Sequence, residues 1–392
     1  MASTRIPLLL AVIVVAAFPA AKSAPTSSSS PAFKTVYAFG DSFTDTGNTH
    51  STTGPYSFGY VSSPPYGATF FHRSTNRYSD GRLVVDFLAD RLSLPSFLPP
   101  YLSLAAAGAP PAAEDGRHAA AAAHGVNFAV AGATAIEHEF FERNNLTVDI
   151  TPQSIMTELG WFEAYLRRSP PETRAAVGDA LFWVGEIGAN DYAYSFMAAD
   201  TIRQEQIRTM AVDRVTTFVE ALLKKGAKYI IVQGLPLTGC LPLTMTLARP
   251  EDRDNISCVA SVNKQSRAHN RHLLAGLRRL RQKYPAAVIA YADYAAAHLA
   301  VMRSPARYGF TEPFKTCCGA GGGAYNFEIF STCGSPEVTT ACSSPAKYVN
   351  WDGVHMTEAM YKAVAGMFFQ DGSGRYCSPP FSAVLDRKTK GH

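Results

Sequence analysis

The chain is 392 residues long, 47% hydrophobic and 17% charged, the balance of a folded globular protein rather than a disordered or fibrous one. Its formal net charge is only +4, and lysine and arginine are scattered through the sequence. Neither a nucleic-acid-binding face nor an acidic solvating tail is indicated.

Residues 1–24 begin with a positive charge at Arg5, continue in a short apolar run from Leu8 to Phe18 and close on the small residues of Ala21-Lys22-Ser23. This is the pattern of a secretory signal peptide, with an apolar part too short for a membrane span. Residues 25–32, with their serine run, form a flexible lead-in. A single domain over residues 33–385 follows, and no later stretch is long and apolar enough to cross a bilayer.

The first strand is residues 35–39, apolar and rich in β-formers. Gly40 breaks the pattern and Ser42 follows, within Gly40-Asp41-Ser42-Phe43. A serine on a sharp turn past a buried strand presents its hydroxyl at the carboxyl end of a sheet, where open α/β sheets carry their sites. An ordinary surface turn uses the same residue types. Residues 49–76, rich in Gly, Pro, Ser and Tyr, form a long surface loop, and loops of this length are often functional. Its aromatics are Tyr56, Phe58, Tyr60, Tyr66, Phe70 and Phe71. They either line a cleft, where they would stack on sugar or phenolic rings, or belong to the core.

Apolar residues recur at helical spacing over 83–92. Residues 105–123 are Ala-rich with Gly, Pro and mixed charge, an irregular insertion or a weak helix. Further strands are expected at 125–130, 180–185, 228–233 and 287–293. Helices are expected at 155–166, 202–224, 259–283 and 294–302, with the last at 357–369. Strands apolar on both faces that alternate with helices build a parallel sheet covered on both sides. The expected architecture is a three-layer α/β/α sandwich around a five-stranded parallel sheet.

The seven cysteines are interpretable once the chain is exported to an oxidising compartment. Cys240 and Cys258 would close one local loop. Cys317, Cys318, Cys333 and Cys342 would pair among themselves in one of three connectivities. A zinc site is the alternative, but adjacent cysteines lack the usual two-residue spacer. The odd count leaves one thiol over, assigned to Cys377. Asn145-Leu146-Thr147 and Asn255-Ile256-Ser257 are glycosylation acceptors in an exported chain.

Ser42, Gly132 and Asn190 follow three successive strands, whose carboxyl ends lie side by side in a doubly wound sheet. Together they offer a hydroxyl nucleophile, a backbone N–H at Gly132 and a side-chain amide at Asn190. With the N–H of Ser42 itself, these donors could hold the oxyanion of a tetrahedral intermediate. A serine also needs a base. Among the 10 histidines His355 stands out, because Asp352 precedes it by three residues with Gly353 between. The carboxylate can then reach the near ring nitrogen, fix the tautomer and stabilise the imidazolium. A helix start capped by Thr357 explains the same stretch without catalysis.

Gly40-Asp41-Ser42-Phe43, Gly132 after Asn127-Phe128-Ala129-Val130-Ala131, Gly188-Ala189-Asn190-Asp191 and Asp352-Gly353-Val354-His355 resemble the four blocks of the GDSL esterases/lipases of the SGNH hydrolase superfamily. Order and rough spacing match the large plant branch over nearly all of the chain past the signal peptide. Pro64-Pro65-Tyr66-Gly67, Arg77-Tyr78-Ser79-Asp80-Gly81-Arg82 and Thr316-Cys317-Cys318-Gly319 are similar to that branch as well. Phe43 replaces the leucine of the family name, and Ala131 stands where a second glycine is common. Thr44 breaks the Gly-x-Ser-x-Gly elbow of the α/β-hydrolases, which argues for this family over that fold.

The resemblance implies a flavodoxin-like SGNH fold with Ser42 as nucleophile, His355 as general base and Asp352 as the orienting acid. It implies Gly132 and Asn190 as oxyanion donors beside the Ser42 N–H, with no cofactor and no metal. It further implies a secreted, monomeric esterase whose partner is an ester substrate. Members of the family act on acetylated wall polysaccharides, acetylated small metabolites and phenolic esters. A short acyl group is expected here, such as acetyl on a cell-wall polysaccharide like xylan, since no long apolar lid for an oil surface is visible. An acyltransferase or a lipase using the same acyl-enzyme, and a carbohydrate- or lipid-binding protein that keeps only the fold, are the competing readings.

Overall fold

The apolar stretch before Gly40 forms β1 (Val36–Phe39), and its side chains alternate between two hydrophobic cores. Val36 and Ala38 join one core, and Tyr37 and Phe39 the other. The computed structural model describes residues 31–49, 59–106, 122–146, 151–196 and 202–391. The proposed signal peptide, Tyr56, Phe58, Thr147 and most of the Ala-rich segment lie outside the described residues.

β2 (Gly125–Asn127), β3 (Leu181–Val184), β4 (Tyr229–Gln233) and β5 (Val288–Ala292) follow. On β3, β4 and β5 the side chains again divide alternately between the two cores. Such two-sided burial is why these strands are almost wholly apolar, Gln233 at the end of β4 being the exception. The strand order is β2-β1-β3-β4-β5, with every neighbour parallel. Val36 of β1 pairs with Gly125 on one side and Leu181 on the other.

β6 (Glu312–Thr316) and β7 (Tyr348–Asn350) make a separate parallel pair that leads the chain to Asp352. The two-residue β8 (Cys377–Ser378) adds antiparallel to β5, so the main sheet has six strands rather than the expected five. A strand that short has no period to detect in the sequence.

The principal helices are α1 (Val84–Arg91), α2 (Ile155–Arg168), α3 (Ala189–Ser195), α4 (Gln204–Lys224), α5 (Ala260–Lys283), α6 (Tyr294–Arg303), α7 (Glu358–Gln370) and α8 (Phe381–Lys390). α1, α6, α7 and α8 cover one face of the sheet, and α2, α4 and α5 the other. α7 was expected to be the last helix. α8 follows it, runs past residue 385 and buries Phe381 and Val384. Ser154, Asp293 and Thr357 cap α2, α6 and α7 through their side-chain oxygens, each accepting an N–H in the first turn.

The chain order of strands reverses at β1, which pairs with both β2 and β3. In sheets of this order the crevice for a ligand opens at the carboxyl ends of β1 and β3. Among the described residues no helix is long and apolar enough to cross a membrane.

Candidate active site

Gly40 ends β1 at φ +137°, where a Cβ would approach the Gly185 Cα of β3's exit to 3.2 Å. The chain then tightens into a turn. The N–H groups of Thr44 and Asp45 donate to the Asp41 carbonyl at 3.0 and 2.9 Å, and Phe43 N–H donates to Asp41 Oδ1 at 3.1 Å. Ser42 sits in this turn, 5% exposed. Asp45 fastens the turn to the next loop, accepting from Gly47, Asn48 and Ala131 N–H at 2.7, 2.7 and 2.9 Å.

Gly132 follows β2 at φ +81°. A Cβ there would overlap Thr151 Oγ1 and stand 2.8 Å from Tyr194 Oη. Those hydroxyls hold the loop: Thr151 donates to the Ala131 carbonyl at 2.9 Å and Tyr194 to the Gly132 carbonyl at 3.0 Å. Asn190, in the first turn of α3, joins both loops. Its Nδ2 donates to Asp41 Oδ2 at 3.1 Å and to the Ala133 carbonyl at 3.0 Å. These are the neighbours of Ser42 and of Gly132. Among the described residues the N–H groups of Ser42 and Gly132 have no acceptor.

The last segment arrives from β7. Cys317 and Cys318 N–H donate to the carbonyls of Asn350 and Trp351 at 3.0 and 2.7 Å, and Leu243 N–H donates to Gly353 at 2.9 Å. The Phe327 ring fills the space beside Gly353 that a Cβ would need. Of the three connectivities open to the four clustered cysteines, the structure has Cys317–Cys342 and Cys318–Cys333. Both bridges lie next to the Asp352 turn. Cys240–Cys258 closes the other loop, and Cys377 is free and buried.

Thus anchored, Asp352 Oδ1 accepts from Val354 and His355 N–H at 2.8 and 2.6 Å. Its Oδ2 lies 2.9 Å from His355 Nδ1, and His355 Nε2 lies 2.7 Å from Ser42 Oγ. The proton on Nδ1 is assigned from this geometry: with the carboxylate accepting there, Nε2 is the ring nitrogen that faces the hydroxyl. All five residues singled out in the sequence are brought to one rim of the sheet.

The family of GDSL-like lipases/acylhydrolases matches residues 36–367. The chain belongs to that family. It is 53% identical to a GDSL esterase/lipase of Arabidopsis thaliana over 357 residues, 91% of this chain and 90% of the other. A second Arabidopsis thaliana GDSL esterase/lipase is 37% identical over 358 residues, 89% of this chain and 87% of the other. The protein is a carboxylic ester hydrolase.

In this GDSL hydrolase the carboxyls around Ser42 are pushed in opposite directions. Asp41, Asp45, Glu158, Glu186 and Asp191 are at most 1% exposed. Burial raises Asp41 to about 6 and Asp191 to about 7. Burial also lifts Glu158 and Glu186 well above the carboxylate range, the charge of Asp41 adding to it in both. Asp352 is the exception. Burial works against its ionisation too, but the His355 ring and the N–H donors of His355 and Val354 outweigh it and hold it below the ordinary value. Of these buried carboxyls, Asp352 is the one whose charged form its surroundings favour.

Several residues of this GDSL site have contacts that the sequence does not reveal. Glu158 accepts Gly40 N–H at 2.9 Å from the inward face of α2. The Tyr78 ring lies over His355 with centroids 4.6 Å apart, and Phe43 flanks the imidazole at 5.4 Å. Tyr66 donates its hydroxyl to Asp352 Oδ2 at 2.8 Å. Of the long loop's described aromatics Tyr66 is buried and packs on Trp351, while Phe70 and Phe71 lie against the guanidinium groups of Arg82 and Arg77 and Tyr60 and Phe70 remain exposed. The Asn145 and Asn255 side chains are exposed.

Proposed function

We propose that the enzyme cleaves esters in two steps through an acyl-Ser42 intermediate. Ser42 Oγ transfers its proton to His355 Nε2 and bonds to the ester carbonyl carbon. The tetrahedral oxyanion accepts hydrogen bonds from the N–H of Ser42 and Gly132, and from the Asn190 amide once one of its two N–H groups turns away from Asp41 Oδ2 or the Ala133 carbonyl. The bond to the alcohol oxygen breaks as that oxygen takes the proton from Nε2, leaving the acyl-enzyme. Water then repeats the sequence, its proton going to Nε2 and on to Ser42 Oγ, and the acid departs. The observation that carries this reading is the unbroken chain from Ser42 Oγ to His355 Nε2 at 2.7 Å and from Nδ1 to Asp352 Oδ2 at 2.9 Å. The backbone N–H groups of Ser42 and Gly132, without acceptors among the described residues, support it. A fluorophosphonate probe tests it: wild type is labelled and Ser42→Ala is not. Labelling that survives the substitution would place the nucleophile elsewhere.

The acyl group we propose is short, such as acetyl, carried on a cell-wall polysaccharide like xylan. Ser42 and His355 are only 5% and 4% exposed, and the rings of Phe43 and Tyr78 crowd the imidazole, which favours a small acyl group at Oγ. Three disulfides and exposed asparagines at both acceptor triplets suit a secreted glycoprotein released from a signal peptide over residues 1–24. A panel of aryl esters from acetyl to long-chain, followed by acetylated xylan, decides the acyl preference. Turnover that rises with chain length would overturn the short-acyl assignment.

A further inference from the structure

Asp352 is bound by more than its own turn. Its Oδ1 takes the two local N–H donors, so that oxygen is fixed by the backbone of residues 352–355. Its Oδ2, the oxygen nearer to His355 Nδ1, has one further donor, the Tyr66 hydroxyl at 2.8 Å. Tyr66 belongs to the Pro64-Pro65-Tyr66-Gly67 stretch, 286 residues away in the chain. The segment is locked at its base. Tyr66 N–H donates to the Ser63 carbonyl at 3.3 Å and Gly67 N–H to the Ser79 carbonyl at 3.0 Å. The ring is 6% exposed and wedged between Tyr78 and Trp351, with centroids 6.1 and 6.0 Å away.

We infer that Tyr66 is a positioning residue for the ester-cleaving machinery, its hydroxyl setting both the rotation and the charge of the Asp352 carboxylate. The last torsion of an aspartate is broad and roughly two-fold, so bonds to one oxygen leave room for the rigid carboxylate to rock about its Cβ–Cγ bond, and a bond to the second oxygen narrows that range. The backbone holds Oδ1 and the phenol holds Oδ2, which leaves Oδ2 aimed at Nδ1. The phenol also shares the negative charge that would otherwise act on the imidazole alone. Burial and the Asp352 charge keep the Tyr66 phenol protonated far beyond the working range, so it remains a donor throughout. The other groups facing the pair are Asp41 from the nucleophile turn, Tyr78 from the same segment as Tyr66, and Tyr361 from α7. Burial keeps both tyrosines protonated as well, and Asp41 is common to every variant below.

This inference rests on Asp352 and His355 activating Ser42 as proposed above, and the test separates the two claims. Tyr66→Phe, Asp352→Asn and the double variant are assayed on p-nitrophenyl acetate across pH, with melting temperatures alongside. Tyr66→Phe is expected to lower kcat about tenfold with KM unchanged, the size of effect that loss of a hydrogen bond to a charged group produces. Without the phenol the carboxylate acts on the imidazole with its full charge, so the acid limb of the profile moves to higher pH. In the Asp352→Asn background the Tyr66→Phe effect disappears, because the phenol works only through the carboxylate. Replacing Tyr66 with 3-fluorotyrosine keeps the packing and strengthens the donor, and it moves the limb to lower pH, which tests the claim even where the Phe variant folds poorly. An unmoved profile in both Tyr66 variants would overturn the inference. So would a Tyr66→Phe loss that persists in full beside Asp352→Asn. Near-normal turnover in Asp352→Asn alone would instead overturn the proposed role of Asp352, and the inference with it.

Discussion

Ser42 and His355 stand 313 residues apart in the chain, and their Oγ and Nε2 atoms meet at 2.7 Å. The serine is carried by the exit of β1, an interior strand between β2 and β3. The histidine is carried by a turn pinned to Cys317, Cys318 and Leu243. No sheet hydrogen bond holds them together, so their meeting depends on the anchored turn. His355→Gln removes the proton acceptor while leaving a side chain of similar reach. It should lower kcat by on the order of 10⁶, as loss of the base does in serine proteases. The melting temperature should stay near that of the wild type. Turnover of p-nitrophenyl acetate within about tenfold of the wild type would show that the base lies elsewhere.

Gly132 is more constrained than a turn glycine need be. Its φ of +81° disfavours any side chain, and Thr151 and Tyr194 already occupy the space where a Cβ would stand. Gly132→Ala therefore strains the backbone by roughly 1–3 kcal/mol and shifts the N–H proposed to serve the oxyanion. The expected outcome is a kcat lower by about 10²–10³ with a smaller change in KM, together with a reduced melting temperature. A variant that melts early but turns over normally would remove the Gly132 N–H from the oxyanion site.

The parts legible in the sequence share one cause: each repeats a pattern over enough residues to be seen. β1, β3 and β5 are apolar throughout, and β4 up to Gln233, because both faces are covered, and Ser42, Gly132 and Asn190 follow strands whose carboxyl ends adjoin. Asp352 and His355 are legible as a pair because only Gly353 and Val354 separate them. β8 is two residues long and pairs antiparallel at an edge, so it leaves no pattern. α8 turns only Phe381 and Val384 fully inward, too few to show a helical stripe. Tyr66 is visible as a loop aromatic and as part of a familiar stretch, but nothing local tells where its hydroxyl points. Glu158 lies on the same face of α2 as Ile155, Leu159 and Phe162. Periodicity places it inward, but only the fold shows that it meets Gly40 N–H.

Cys377 is the one thiol left by the three bridges, and burial pushes it up to about 12. Only the thiolate reacts readily, so the native thiol should be inert. Iodoacetamide at pH 8 should label no cysteine in the folded, unreduced protein and one after denaturation without reductant. Prompt labelling of the native protein would mean that the β8 edge opens. Two or more labels after denaturation would mean that a bridge is missing.

Asp191 predicts how stability varies with pH. Its carboxylate accepts Ala135 and Ile136 N–H, each at 2.9 Å, which ties α3 to the loop after Gly132. Those donors favour the charged form, but burial outweighs them and raises the group to about 7. In the unfolded chain an aspartate titrates near 3.9. Between about pH 4 and pH 7 the folded state therefore keeps a proton that the unfolded state has lost. The contribution is fully present below the unfolded value and is lost as pH rises through the folded one, so stability from this group falls across that window by a few kcal/mol on the order-of-magnitude scale. Asp191→Asn cannot titrate. It accepts through one oxygen only and loses one of the two N–H bonds at every pH. The wild type should thus exceed Asp191→Asn in stability most clearly at pH 5, and the gap should narrow by pH 8. Urea unfolding at the two pH values measures it. Asp41, raised to about 6, acts in the same direction and is present in both proteins, so it enters the comparison only through its charge on Asp191. A gap that stays constant, or widens towards pH 8, would mean that Asp191 is ionised in the folded state and that its two amide bonds outweigh its burial.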